Sequence, residues 1–467
     1  MEQEDVSRRD FLATTGAAVV GSALVGSATA QTTHITKKRI ALVGTGSRGS
    51  GSWGRTVLRE YGDYVEYVGL CDINPGRVDY VRQSLGLSCP TFTDFEKMMR
   101  ETKPDMLIVT TVDATHHEYI IKGLEMGAEV ITEKPMTTDE SKCEAILEAE
   151  KKAGRPVTVA FNYRYAPHTT KIKELLMKEQ IGRITSVDFN WYLDTNHGAS
   201  YFRRWHGKRK NSGTLLVHKA THHFDLLNWW LDSDPVEVFG NGALEFYGHN
   251  GKFRSTHCRA CDHTEECAFH WDITRSRRRN FSGSNEMGRR SRRSRSLALY
   301  VDHEHHDGYL RDGCVFHEDI DIYDKMAVQI KYANDVQVSY SLTTYSPYEG
   351  YRIAFNGTKG RLEAWIQSRQ PWDRPETNDL RLTMNFGETE IISIPRGRGG
   401  HGGGDVRLKD RVFKNLDAPD PFKHQAGTRD GAMSILIGIA ARKSIEEQKK
   451  IAIADLTSIE PMAQRPV

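Results

Sequence analysis

The sequence predicts an α/β fold in two parts: an N-terminal doubly wound parallel sheet, then a C-terminal α/β domain with a predominantly antiparallel open sheet. Three observations predict it. The 467 residues exceed what one core of ordinary size holds. From Lys37 onward, short apolar runs alternate with amphipathic helical stretches, the pattern of βαβ units. Beyond Thr185 several runs alternate polar and apolar residues, which suits strands with one covered face.

In the first part, spanning 37–160, strands are expected at 39–43, 65–71, 106–111, 129–132 and 157–161, with helices at 94–102, 117–126 and 139–153. The first strand runs into Gly44-Thr45-Gly46-Ser47-Arg48-Gly49, a G-x-G-x-x-G fingerprint between strand and helix. There Gly44, Gly46, Ser47, Arg48 and Gly49 would bring backbone amides and a helix N-terminus to a pyrophosphate, making this a Rossmann domain for NAD(P). The second strand ends in Asp72, an acceptor for the adenosine ribose hydroxyls that favours NAD over NADP, while Arg77 lies close enough to admit NADP.

Val112-Asp113-Ala114-Thr115-His116-His117, followed by Gly127-Ala128 and Thr132-Glu133-Lys134-Pro135, resembles the signature of the Gfo/Idh/MocA oxidoreductases. The resemblance covers nearly the whole chain after residue 30, apart from an insertion at about 250–312. It implies that Glu133 and Lys134 contact the cofactor, with Lys134 also beside the reacting hydroxyl of a carbohydrate. A lysine at the carboxyl end of a parallel strand lies where open α/β sheets bind ligands, and its cation can lower the pKa of an alcohol.

The second part, 161–460, should hold a helix near 168–178, strands at 185–192, 324–331, 336–343 and 351–356, and a closing helix at 432–449. Its chemistry is expected in the run from Ser212 to Asp225. On one continuous helix, His218, His222 and Asp225 fall at i, i+4 and i+7 and share a face. His222 is the expected proton acceptor, Lys134 orients the hydroxyl, and His218 and Asp225 tune His222 or hold the helix. The resembled family commonly has an acid where His218 stands. Tyr163, Arg164, Trp205, Asp225 and His401 are the expected substrate contacts. His401 opens His401-Gly402-Gly403-Gly404-Asp405, a loop similar to one in the NAD-dependent glycosidases of glycoside hydrolase family 109.

Cys258, Cys261, Cys267 and Cys314 have a spacing that permits four-thiolate coordination of zinc or, second, an iron–sulfur cluster. Disulfides are the alternative. Nine arginines between Arg275 and Arg295 are too like-charged to pack. At the N-terminus, Ser7-Arg8-Arg9-Asp10-Phe11-Leu12 and Ala28-Thr29-Ala30 read as a twin-arginine signal peptide over residues 1–30, so a periplasmic or secreted protein is expected. A net charge of +2 and the lack of a long apolar run after residue 30 point away from nucleic acid and from a membrane span in the mature chain. The combined expectation is an exported NAD(P)-dependent oxidoreductase acting on a sugar, glycoside or cyclitol, with tightly bound cofactor and self-association through the open sheet. Two alternatives stand beside it: redox-neutral glycoside cleavage and a non-catalytic sugar-binding protein.

Overall fold

The computed structural model describes residues 36–274 and 295–465. The expected signal peptide and all of the arginine-rich run except Arg295 lie outside the described residues.

Strands β1 (Lys38–Val43), β2 (Val65–Cys71), β3 (Thr91–Phe92), β4 (Met106–Val109), β5 (Glu129–Thr132) and β6 (Val157–Val159) form a parallel sheet in the order β3-β2-β1-β4-β5-β6. The order reverses between β1 and β4, which leaves a ligand crevice at their carboxyl ends. Helices α1 (Val57–Tyr61), α2 (Pro75–Leu85), α3 (Phe95–Thr102), α4 (His116–Glu125) and α5 (Glu140–Ala153) connect the strands. Side-chain oxygens of Asn74, Asp94 and Asp139 cap α2, α3 and α5 by accepting the amides of Arg77, Lys97 and Lys142.

The second sheet has nine strands: β7 (Ile184–Asp194), β8 (Pro235–Ala243), β9 (Lys325–Tyr332), β10 (Gln337–Ser346), β11 (Glu349–Gly357), β12 (Gly360–Arg369), β13 (Thr377–Met384), β14 (Thr389–Pro395) and β15 (Ile451–Ala452). Their order is β14-β13-β12-β11-β7-β10-β9-β8-β15, and every pairing is antiparallel except β7 with β10. Of the strands that the periodicity does not mark, β8 carries Pro235, Gly240 and Gly242, residues that weaken a strand signal.

The helices of this part are α6 (Pro167–Met177), α7 (Thr195–Arg203), α8 (Arg209–Ser212), α9 (Leu215–His218), α10 (Thr221–Leu231), α11 (Arg295–Leu299), α12 (Glu304–Asp307), α13 (Gly404–Phe413) and α14 (Thr428–Glu447). Every residue of α10 is buried. One apolar core runs from Val109 and Val130 of the first sheet through Ile435 and Leu436 of α14 to Phe189 and Val338 of the second. On the opposite face of the first sheet, Leu408, Val412 and Phe413 of α13 join Ile40, Leu42, Trp53 and Ile108. The two parts thus share apolar surface on both sides of β1, and the described residues from Lys37 onward form one unit. Among the described residues no helix is long and apolar enough to cross a membrane.

Candidate active site

The site begins at the glycine loop after β1. Gly44 has φ +87°, and a Cβ there would stand 2.6 Å from the Thr110 carbonyl oxygen at the end of β4. A Cβ on Gly49 would lie 2.0 Å from the Gly44 oxygen, so backbone alone fits this turn. The amide of Ser47 points out of the loop and donates to Tyr300 Oη at 2.8 Å. This cradle fits a pyrophosphate held by backbone donors, as a dinucleotide requires. Asp72, at the end of β2, accepts from the amide and hydroxyl of Thr45 (2.7 and 2.9 Å), the amide of Asn74 (3.0 Å) and Arg77 Nη1 (3.1 Å).

Arg48 and Glu133, both expected at the cofactor, pair with one another. Arg48 Nε donates to Glu133 Oε1 at 2.5 Å and its Nη2 to Asp405 Oδ1 at 2.9 Å. Trp53 Nε1 also donates to Glu133, at 2.6 Å. Burial alone would raise the Glu133 carboxyl, but Arg48 and Trp53 hold it below its usual range. Arg48 therefore ties the first glycine loop to the second.

Lys134 follows at the carboxyl end of β5, half-buried. Its Nζ donates to the carbonyl oxygen of His218 at 3.0 Å. His116 positions this turn, its Nδ1 lying 2.8 Å from the Pro135 carbonyl oxygen. Burial lowers the Lys134 ammonium to about 8, although Asp113 and Glu133 act in the other direction. Beside it, His218 Nδ1 is 2.5 Å from Asp113 Oδ2. Burial raises the Asp113 carboxyl and lowers the His218 imidazole. Trp205 is stacked on His206, and both rings lie near His218. Arg204 donates through Nε to Ser200 O at 2.7 Å, and its charge acts on Asp113, Lys134 and His218.

The other flank is built on His222 and Tyr163, whose rings meet edge-on at 4.8 Å between centroids. His222 is buried and its imidazole is held neutral, first by desolvation and then by the cation of Lys134. Its Nδ1 has no hydrogen-bond partner among the described residues. Tyr163 also meets His401 edge-on at 4.9 Å. His401 sits at φ +52° and places Nδ1 3.0 Å from Asp405 Oδ2, while Asn162 Nδ2 donates to Asp405 Oδ1 at 2.7 Å. Lys219 lies over Trp191 and Tyr163, and burial lowers its ammonium to about 7.

Comparison with known proteins decides the family. Two profiles match the chain, the Gfo/Idh/MocA oxidoreductase family's NAD-binding Rossmann fold over residues 38–161 and its C-terminal alpha/beta domain over residues 173–453. The chain belongs to the Gfo/Idh/MocA oxidoreductase family. It is similar to YteT of Bacillus subtilis, an oxidoreductase by inference, with 39% identity over 434 residues, 90% of this chain and 98% of that protein. The inositol 2-dehydrogenase/D-chiro-inositol 3-dehydrogenase of Lactiplantibacillus plantarum is 26% identical over 206 residues, 44% of this chain and 55% of that enzyme. Among solved structures, an oxidoreductase from Agrobacterium radiobacter in complex with NAD+, L-tartaric acid and magnesium has a TM-score of 0.61 at 14% identity. That match covers 90% of this chain and 100% of the other, and it shows a shared fold.

Within this Gfo/Idh/MocA chain, several sequence expectations are corrected. His218, His222 and Asp225 do not share one helix face, because α9 ends at His218 and α10 begins at Thr221. The break turns His218 to Asp113 and His222 to Tyr163. Asp225 instead accepts from Arg164 Nε at 2.9 Å and Nη2 at 2.5 Å, and Arg164 also pairs with Asp430 at 2.7 Å. Arg164 and Asp225 are each 1% exposed, so both leave the substrate set for a buried ion network.

The metal expectation is corrected as well. Cys258, Cys261, Cys267 and Cys314 line one cavity with His257 and His270, and all four are free thiols. Yet among the described residues no three His, Cys, Asp or Glu side chains are arranged to hold a metal ion. Cys258 Sγ is taken up by Arg203 Nη1 at 2.9 Å and the Trp271 amide at 3.4 Å.

Asp113, Lys219 and Asp405 join the site without having been expected in catalysis. Asp113 carried a usable signal, since it follows β4 just as Lys134 follows β5, at neighbouring strand ends.

Proposed function

We propose that this chain is an NAD-dependent dehydrogenase that oxidises a secondary alcohol of a sugar, glycoside or cyclitol. The observation that carries the reading is Lys134 at the end of β5, lowered to about 8, with the Asp113–His218 pair on one side. Its other flank holds His222, on which the Lys134 cation acts. When bound, the nicotinamide supplies the hydride acceptor. The chain's own residues do the rest. The Lys134 ammonium orients the hydroxyl and stabilises negative charge as it develops on the oxygen. His222, held neutral, takes the hydroxyl proton. Because its Nδ1 is enclosed, Nε2 is the nitrogen available to a ligand. Trp205 and Tyr163 offer aromatic faces and Arg204 a cation, a set suited to a polyol. The similarity to an inositol dehydrogenase supports a cyclitol or sugar.

A second reading has a specific observation behind it. His401 and Asp405 place a second acid/base pair beside His222, the two imidazole centroids 5.5 Å apart, more than alcohol oxidation needs. Redox-neutral glycoside cleavage would use it: after oxidation of the C3 hydroxyl, the C2 proton leaves, the anomeric substituent departs, water adds, and the hydride returns to C3. We further propose export by the twin-arginine route, from Ser7 to Leu12, with the cofactor retained; the exposed Trp365 on β12, Trp372 in the connection after it and Ile391 on β14 support self-association.

The deciding experiment incubates purified protein with NAD and a panel of cyclitols, sugars and aryl glycosides. Accumulating reduced nicotinamide with a keto product is the expected result. Release of the aryl group without net reduction selects the second reading. Neither change, in protein that binds NAD, overturns both.

A further inference from the structure

The described parts of the insertion at about 250–312 pack against the molecule. Its second half, from Arg295 to Asp312, crosses the dinucleotide end of the first sheet. Arg295 Nη2 donates to Ser50 Oγ at 2.7 Å, and Tyr300 Oη takes the Ser47 amide. Asn74 Nδ2 donates to the carbonyl of His303 at 2.8 Å, and Tyr80 meets the His303 ring. Arg259 anchors the far side by donating to Glu304 and Asp312. Each contact on the first sheet falls on the glycine loop or just after β2, where pyrophosphate and adenosine ribose are held in this fold.

Arg77 is the pivot. Its Nη1 donates to Asp72 at 3.1 Å and its Nη2 to Asp307 at 2.6 Å, while its guanidinium lies over the Tyr300 ring at 5.4 Å. Asp307 is itself fixed, accepting the Tyr309 amide at 3.1 Å. Arg77 is 7% exposed. An arginine beside the ribose-binding acid is the group that would accept a 2′-phosphate bidentately. Here each of its terminal nitrogens already donates to a carboxylate, and those carboxylates would repel a phosphate dianion.

We propose that residues 295–312 form the outer wall of the cofactor site and that Asp307 sets its selectivity, holding Arg77 so that NAD is taken and NADP refused. The inference rests on the dinucleotide site proposed above but is independent of the substrate. Without Asp307, Arg77 keeps one carboxylate partner and regains a free edge for the phosphate.

The test is equilibrium binding of NADH and NADPH to the full chain, followed by nicotinamide fluorescence with no substrate present. Wild type should prefer NADH. Asp307→Asn should shift the ratio toward NADPH by roughly tenfold or more, the size of one charge-assisted hydrogen bond. Arg77→Gln in the Asp307→Asn background should cancel that gain. An unchanged ratio in Asp307→Asn, or the same gain with Arg77 removed, overturns the proposal while leaving the cofactor reading intact. Wild-type protein that binds neither dinucleotide overturns both. Should Asp307→Asn fail to fold, Asp307→Ser carries the same expectation.

Discussion

The imidazole of His218 and the carboxyl of Asp113 meet at 2.5 Å beside the Lys134 side chain, which is bonded to the His218 carbonyl. The pair positions His218 and, through its carbonyl, Lys134. Asp113→Asn removes the carboxyl from this pair and should lower kcat by about 10- to 100-fold. Dinucleotide affinity, measured by fluorescence titration, should stay within twofold.

Lys134 has a titration of its own to report. With its ammonium lowered to about 8, the charged form dominates below that pH and is lost above it. If the cation stabilises the developing alkoxide, kcat/KM should fall as pH rises through about 8. Lys134→Arg keeps its charge across this range and should lose that limb. Lys134→Met should cost about 10²- to 10³-fold at neutral pH, measured by steady-state rates.

The Arg164–Asp225–Asp430 network belongs to stability. Arg164→Met leaves the buried Asp225 without its cation, while Asp430 keeps Arg465 at 2.8 Å, and stranding one member of a buried pair costs about 3–5 kcal/mol. Denaturant unfolding should show that loss, whereas a substrate role would appear as a raised KM in protein of unchanged midpoint.

Acid should weaken the fold through Glu349. His197 Nδ1 lies 2.9 Å from this carboxylate, which is lowered to about 2; burial opposes the shift, and His197 and Lys219 produce it. A depressed carboxyl adds stability above its unfolded pKa of about 4.3 and loses it as pH falls toward about 2. Glu349→Gln should flatten the urea midpoint between about pH 5 and pH 3, compared with wild type.

The first sheet was readable except for the two-residue β3, because its other strands are largely buried apolar runs. Strand ends at Cys71, Val109 and Thr132 therefore put Asp72, Asp113 and Lys134 in the crevice. The histidine run was harder. Its spacing of four and seven assumes an unbroken helix, and nothing local announces the turn at Lys219 and Ala220 that sends His218 one way and Asp225 another. Arg48 illustrates a different limit. Its place in the glycine fingerprint suggests a phosphate, but its partners Glu133 and Asp405 are 85 and 357 residues distant, visible only once the chain is folded. The cysteine spacing shows why motif arithmetic falls short: the fold does gather the four thiols around one cavity, but among the described residues their arrangement is not one that holds a metal ion.

Because α13 returns from the second sheet to pack against Trp53 and Ile108, the two sheets are locked from both sides. Swinging them apart like the halves of a hinge would strip a continuous apolar core of its cover, a larger penalty than lifting a short segment that buries only Leu299 and Tyr300 in that core beside its polar contacts. Residence time of the dinucleotide is then governed at the rim. Mutations in the tether from Arg295 to Asp312 should change how fast cofactor exchanges between molecules, while the rate at which substrate is converted in one loaded molecule stays the same.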